Sequence, residues 1–156
     1  MCKHPLKKHG WIDASKTNSL GEAEAKCNVA IVYEDVPAGQ RAVRSLSYTE
    51  QALSEPTNFY PVLWRFDLLE DPDWRAWATK DARQADLLII SVSRPSNLSA
   101  NVQAWIKDWL AQKQGTAAAV AVLFGVANSR AEPDLPPFQF VKSAAAEAGL
   151  DFLLPA

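Results

Sequence analysis

Two adjacent carboxylates, Glu34 and Asp35, directly follow the apolar run Val29–Tyr33. Neighbouring acids of this kind can hold a hard cation such as Mg²⁺, with water completing its coordination shell. Asp35 also precedes a predicted helix, and an aspartate there can cap the helix without any metal. The pattern therefore supports two hypotheses for the pair, a cation site formed by Glu34 and Asp35 or a structural cap.

A second polar cluster contains Ser91, Ser93, Arg94 and Ser96, at and after the end of the apolar segment 86–92. Hydroxyl and amide groups ahead of a helix N-terminus can cradle an anion. The same residue types also precede many helices that bind no ligand, where they act as caps. Both interpretations of this cluster stay open at the level of sequence.

Nucleophilic catalysis is not expected at these serines. A serine needs a neighbouring base, and the only histidines, His4 and His9, lie in the polar N-terminal segment. The chain has no G-x-S-x-G motif, and no G-x-G-x-x-G follows the first predicted strand, where two carboxylates would repel a phosphate. We therefore expect no catalytic residues and neither a flavin nor a nicotinamide cofactor.

Cysteine usage is sparse. Cys2 and Cys27 are the only cysteines and cannot form a disulfide framework, so we expect reduced thiols in a cytoplasmic protein. Their spacing relative to the two histidines matches no zinc-finger or zinc-ribbon pattern. The sequence therefore predicts no zinc site.

The tryptophans are assigned to the core rather than to an aromatic binding platform. Trp105 and Trp109 are four residues apart on an apolar helical stripe, and Trp74 and Trp77 share one face of another helix with Ala78. At such spacings core packing is the simpler interpretation.

The elements that position these residues alternate regularly between strand and helix. The predicted strands are Val29–Tyr33, Val62–Phe66, Asp86–Val92, Ala118–Phe124 and Leu150–Leu154. Apolar strands without polar alternation, joined by helices, predict a parallel sheet covered on both faces. The predicted fold is α/β: a three-layer, doubly wound, parallel five-stranded sheet of order 2-1-3-4-5, flavodoxin-like and lacking a final helix. Residues 1–27 form a polar N-terminal segment ahead of this domain, which spans 28–156.

Local signals mark three helix boundaries. Asp71-Pro72 combines a capping side chain with proline at the first helical position. Ser99 or Ser96 is expected to cap the next helix, and Gly149 to end the last one.

In a sheet of this order, ligands bind at the carboxyl ends of the first and third strands, where the chain reverses its winding direction. This rule defines one candidate crevice. Its predicted lining is Glu34, Asp35, Ser91, Ser93, Arg94 and Ser96, with Gly125 from the fourth strand.

Composition limits the partners. Sixteen Lys and Arg residues against eighteen Asp and Glu residues give a net charge of −2 over 156 residues, which leaves no basic excess for nucleic acid. No apolar stretch reaches the roughly 18 residues of a membrane-spanning helix, and no signal-peptide core follows the basic N-terminus. We expect neither nucleic acid nor membrane as a partner.

Over residues 28–156 the pattern resembles the receiver domains of two-component response regulators. Glu34-Asp35 is similar to the acidic pair with which receivers bind Mg²⁺. The segment 86–95 is similar to the one around their phospho-accepting aspartate, including Pro95 four residues after that position, and Leu154-Pro155 resembles their Lys-Pro.

The departures from the receiver pattern remove its chemistry. Ser91 stands at the position of the phospho-accepting aspartate, Leu154 replaces the lysine, and Phe124-Gly125 replaces the Ser or Thr that closes the fourth strand. A serine hydroxyl does not attack a phosphodonor as a carboxylate does, and without lysine the phosphoryl charge is not neutralised. The resemblance therefore implies a pseudo-receiver domain.

The functional expectation is a non-catalytic signalling or protein-interaction module. The predicted absence of a last helix leaves an apolar strip beside the fifth strand, which residues 1–26 or another chain must cover. We expect a homodimer or protein partner there, near Phe152 and Leu154. The alternative is a small-ligand-binding or enzymatic domain that uses Glu34 and Asp35, with a divalent cation such as Mg²⁺.

Overall fold

The computed structural model describes residues 25–52, 57–125 and 135–153, in which strands and helices alternate. The strands are β1 (Ala25–Tyr33), β2 (Thr57–Arg65), β3 (Leu87–Val92), β4 (Ala119–Phe124) and β5 (Asp151–Leu153). The helices are α1 (Val36–Ala52), α2 (Pro72–Ala82), α3 (Ala100–Gln112) and α4 (Pro136–Ala148), and a 3₁₀ turn, Phe66–Glu70, links β2 to α2.

The five strands form one parallel sheet in the order β2-β1-β3-β4-β5. This confirms the flavodoxin-like α/β fold predicted from the sequence. Every residue of β3 is buried, as expected for a central strand covered on both faces. Tyr33 pairs with Ser91, so the carboxyl ends of β1 and β3 lie side by side at the reversal point of the winding.

Two strands begin earlier than the apolar runs indicate. β1 starts at Ala25, ahead of the run that begins at Val29, and β2 starts at Thr57 and contains Pro61. Proline has no N–H to donate to a neighbouring strand, but β2 is an edge strand, where proline is tolerated because its nitrogen can face solvent. The strand predicted to begin at Val62 therefore extends back through Pro61 to Thr57.

Two apolar clusters fill the two faces of the sheet. Helices α2, α3 and α4 pack on one face, and α1 packs on the other through Ala42 and Leu46. Trp105 and Trp109 are each 3% exposed, and their indole N–H groups donate to Thr79 Oγ1 at 3.0 Å and to the Ala82 carbonyl at 2.9 Å. The prediction that these two tryptophans belong to the core is confirmed.

The same prediction is wrong for the tryptophans of α2. Trp74 and Trp77 are 50% and 55% exposed. The buried face of α2 consists of the small residues Ala78 and Ala82, and α2 packs beside the edge strand, where the Trp74 ring lies 6.1 Å from that of Trp64. Of the three residues predicted to share a core face, only Ala78 is buried.

The predicted helix boundaries are confirmed. Asp71 Oδ1 accepts from the N–H groups of Asp73 at 2.9 Å and Trp74 at 3.3 Å. Ser99 Oγ accepts from the N–H of Val102 at 3.2 Å, and Gly149 ends α4 with a left-handed φ of 74°.

None of the helices in the described ranges is long and apolar enough to cross a bilayer.

Beside β5, where the sequence analysis expected a partner surface, the apolar side chains are divided between the two faces of the sheet. Phe152 packs edge to face against Phe138 of α4, with ring centroids 5.2 Å apart, so it belongs to the helix-covered face. Leu153 lies on the opposite face with the α1 cluster, where Leu87 and Ala119 are buried. Leu154 lies outside the described residues.

Cys27 lies on β1 and is 1% exposed. Cys2, the other cysteine of the chain, lies outside the described residues.

The buried indole of Trp109 predicts a large stability effect. Trp109→Ala removes a fully packed side chain and leaves the Ala82 carbonyl without its donor, so we expect a loss of about 3–5 kcal/mol in the free energy of unfolding, measured by urea denaturation. Asp108→Ala, at the exposed neighbouring position, serves as the control and should change it by less than about 0.5 kcal/mol. Similar losses in both variants would contradict the packing described here.

Candidate functional site

Glu34 connects the end of β1 to the loop that follows β3. Its Oε1 accepts from the backbone N–H groups of Ser93 at 2.7 Å and Arg94 at 3.1 Å, and its Oε2 pairs with Arg94 Nε. The Glu34 side chain is 13% exposed, whereas that of Arg94 is 73% exposed. The carboxylate is therefore held mainly by the two backbone donors, with the guanidinium covering it from the solvent side.

Asp35 binds the start of α1 and the same loop. Its Oδ1 accepts from the N–H of Ala38 at 3.0 Å, which is the capping role considered from the sequence, and from Ser93 Oγ at 2.8 Å. Desolvation alone would raise the pKa of Asp35. The Ser93 and Ala38 hydrogen bonds, with the positive charges of Arg41 and Arg94, outweigh it and hold this pKa below its ordinary value.

Ser91 lies beneath these contacts. It is fully buried, and its Oγ donates to the carbonyl of Ala38 at 2.8 Å, while its own carbonyl accepts from the N–H of Glu34 at 3.0 Å. The hydroxyl that occupies the phospho-acceptor position of the receiver pattern thus faces α1 and is already used in a structural hydrogen bond. A reagent in solvent has no access to it.

Arg41 and Gly125 were not paired by the sequence analysis. A Cβ at Gly125 would lie 2.2 Å from an Arg41 guanidinium nitrogen, so the guanidinium fits against the bare backbone at the end of β4. Its Nη1 is buried and makes no hydrogen bond in the described part of the chain. The charge of Arg41 acts on Asp35 from this position.

A cavity of about 340 Å³ lies at the carboxyl ends of β1 and β3, as the fold rule predicts. Of the predicted lining residues, Glu34, Arg94 and Ser96 line it, whereas Asp35, Ser91 and Ser93 do not. Side chains of a strand alternate between the two faces of a sheet. Ser91 therefore faces α1 while Val92 faces the cavity, and the predicted set divides into two groups on opposite sides.

The sequence analysis missed two acids of this cavity. Asp67 and Glu70 belong to the 3₁₀ turn directly after β2 and line the cavity together with Arg94. Applying the rule of carboxyl strand ends to β2 as well as to β1 and β3 would have identified them. The predicted β2 ended at Phe66, immediately before them.

Both of these acids are stabilised in their charged form. Hydrogen bonds from Ser99 Oγ and from Asn101 Nδ2 lower the pKa of Glu70, against an opposing effect of burial. The hydrogen bond and charge of Arg65 lower the pKa of Asp67. The cavity therefore has ionised acids on one wall, each with a partner from the protein.

The geometry does not fit the Mg²⁺ that the receiver resemblance implies. Glu34 and Asp35 serve different sides of the sheet, and the guanidinium of Arg94 sits on Glu34, where it would repel a cation. Across residues 25–52, 57–125 and 135–153, no group of three or more His, Cys, Asp or Glu side chains is placed to hold a metal ion.

Comparison with known proteins identifies no family for this chain. No protein-family model matches the sequence, and no curated protein matches it significantly. The fold and the geometry of the site therefore carry the functional argument.

The lowered pKa of Asp35 predicts an acid-sensitive contribution to stability. A carboxyl whose pKa is lower in the folded state stabilises the fold fully above its ordinary value of 3.8 and loses that contribution as the pH falls through the folded-state pKa. Asp35→Asn keeps a capping side chain but removes the titration. We expect its urea midpoint to fall less than that of wild type between about pH 5 and about pH 3.

Asp73→Asn is the matched control, because Asp73 is an exposed carboxylate on α2. It should retain the wild-type decline in urea midpoint. An equal decline in Asp35→Asn would show that Asp35 does not contribute to acid sensitivity.

The contacts of Glu34 predict a second stability difference. Glu34→Ala leaves the N–H groups of Ser93 and Arg94 without their acceptor, so we expect a loss of about 1–3 kcal/mol in the free energy of unfolding and faster hydrogen exchange at both amides. Arg94→Ala removes only an exposed guanidinium and should cost less than about 1 kcal/mol. If both variants lose the same stability, the ion pair rather than the amide contacts holds this loop.

Proposed function

We propose that this chain is a non-catalytic signalling module that acts through protein contacts, a pseudo-receiver domain without the phosphorylation switch. The observation that carries the proposal is the burial and hydrogen bonding of the Ser91 side chain. It is buried at the phospho-acceptor position, with its hydroxyl donated to Ala38. A switch based on covalent modification needs an accessible nucleophile, and this position offers none.

The acidic pair supports the same proposal. A catalytic or metal-binding pair would present its oxygens together to a ligand, whereas Glu34 binds two loop amides and Asp35 caps α1. These contacts stabilise the carboxyl end of the sheet. The acids have a sufficient structural role without a reaction.

The proposed partner is another protein or a second copy of the chain. The described surface carries large exposed apolar side chains, including both indoles of α2, which favours contact with a protein over a purely structural domain. Phe152 is less suited to this contact than its sequence position suggested, because it already packs on Phe138.

The proposed compartment is the cytoplasm, on the basis of composition and sparse cysteines.

A small-ligand-binding or enzymatic domain is the second candidate, and the cavity at the reversal point favours it. Its volume of about 340 Å³ lies at the lower end of the range of ligand pockets, roughly 300–1,000 Å³. Of the acidic pair only Glu34 lines this cavity, so a ligand would contact Asp67 and Glu70 rather than Asp35.

Mg²⁺ and a small phosphodonor separate these candidates. We expect millimolar Mg²⁺ to leave the melting temperature of the full chain unchanged, and acetyl phosphate with Mg²⁺ to leave its intact mass unchanged. A cation bound at about 100 times its Kd would add roughly 2.7 kcal/mol, which is several degrees for a chain of this size.

Asp35→Asn and Asp73→Asn are measured in parallel. A Mg²⁺-induced rise that Asp35→Asn loses and Asp73→Asn keeps would contradict the proposal and favour the cation-dependent alternative. A phosphoryl adduct on the wild-type chain would contradict the non-catalytic assignment directly.

A further inference from the structure

We draw no further inference here: the strongest candidate, the apolar surface patch that exposed side chains of α1, β2 and α2 form along the edge strand, carries nothing, because no feature of the described residues shows what covers it.

Discussion

The carboxylate of Glu34 is the contact on which the carboxyl end of the sheet depends. The ladder between β1 and β3 ends at the pair Tyr33 and Ser91, and the amides that follow need another acceptor. Glu34 supplies it for Ser93 and Arg94, and Asp35 does the same for the first turn of α1. Ser93 donates to both acids, through its N–H to Glu34 and through its hydroxyl to Asp35, so β1, α1 and the loop after β3 are held as one unit.

These contacts give both acids structural hydrogen bonds at the positions where the sequence indicated a possible cation or ligand site. Hydrogen bonds from Ser93 and Ala38 stabilise the charged form of Asp35, which keeps the carboxyl ionised in its capping role. The cavity nearby is lined by Glu34 and Arg94 and also by Asp67 and Glu70, which have partners of their own. The acids at this end of the sheet are thus distributed over several structural contacts.

The two edge strands of the sheet differ in length and in how far their apolar side chains are covered. At β5 the edge is short, and Phe152 is covered by Phe138 of α4. At β2 the edge is long and is protected from strand addition by Pro61, while the apolar side chains on both of its faces remain exposed. Among the described residues, the exposed large apolar side chains therefore lie on α1, β2 and α2 rather than beside β5, where the sequence analysis expected a partner surface.

The sequence by itself determined the order of elements, the parallel sheet and its strand order, and the helix boundaries at Asp71, Ser99 and Gly149. These depend on local physical chemistry: buried apolar strands, capping oxygens and a left-handed glycine. It also placed Glu34 and Ser91 at neighbouring strand ends, because the winding rule depends only on topology. Only the tertiary structure decided that Glu34 and Asp35 serve opposite sides of the sheet, that Ser91 is sealed beneath α1, and that the α2 tryptophans stay exposed. Those outcomes depend on which face each side chain meets and how far the packed element extends over it, and neither is encoded in the spacing of residues along the chain.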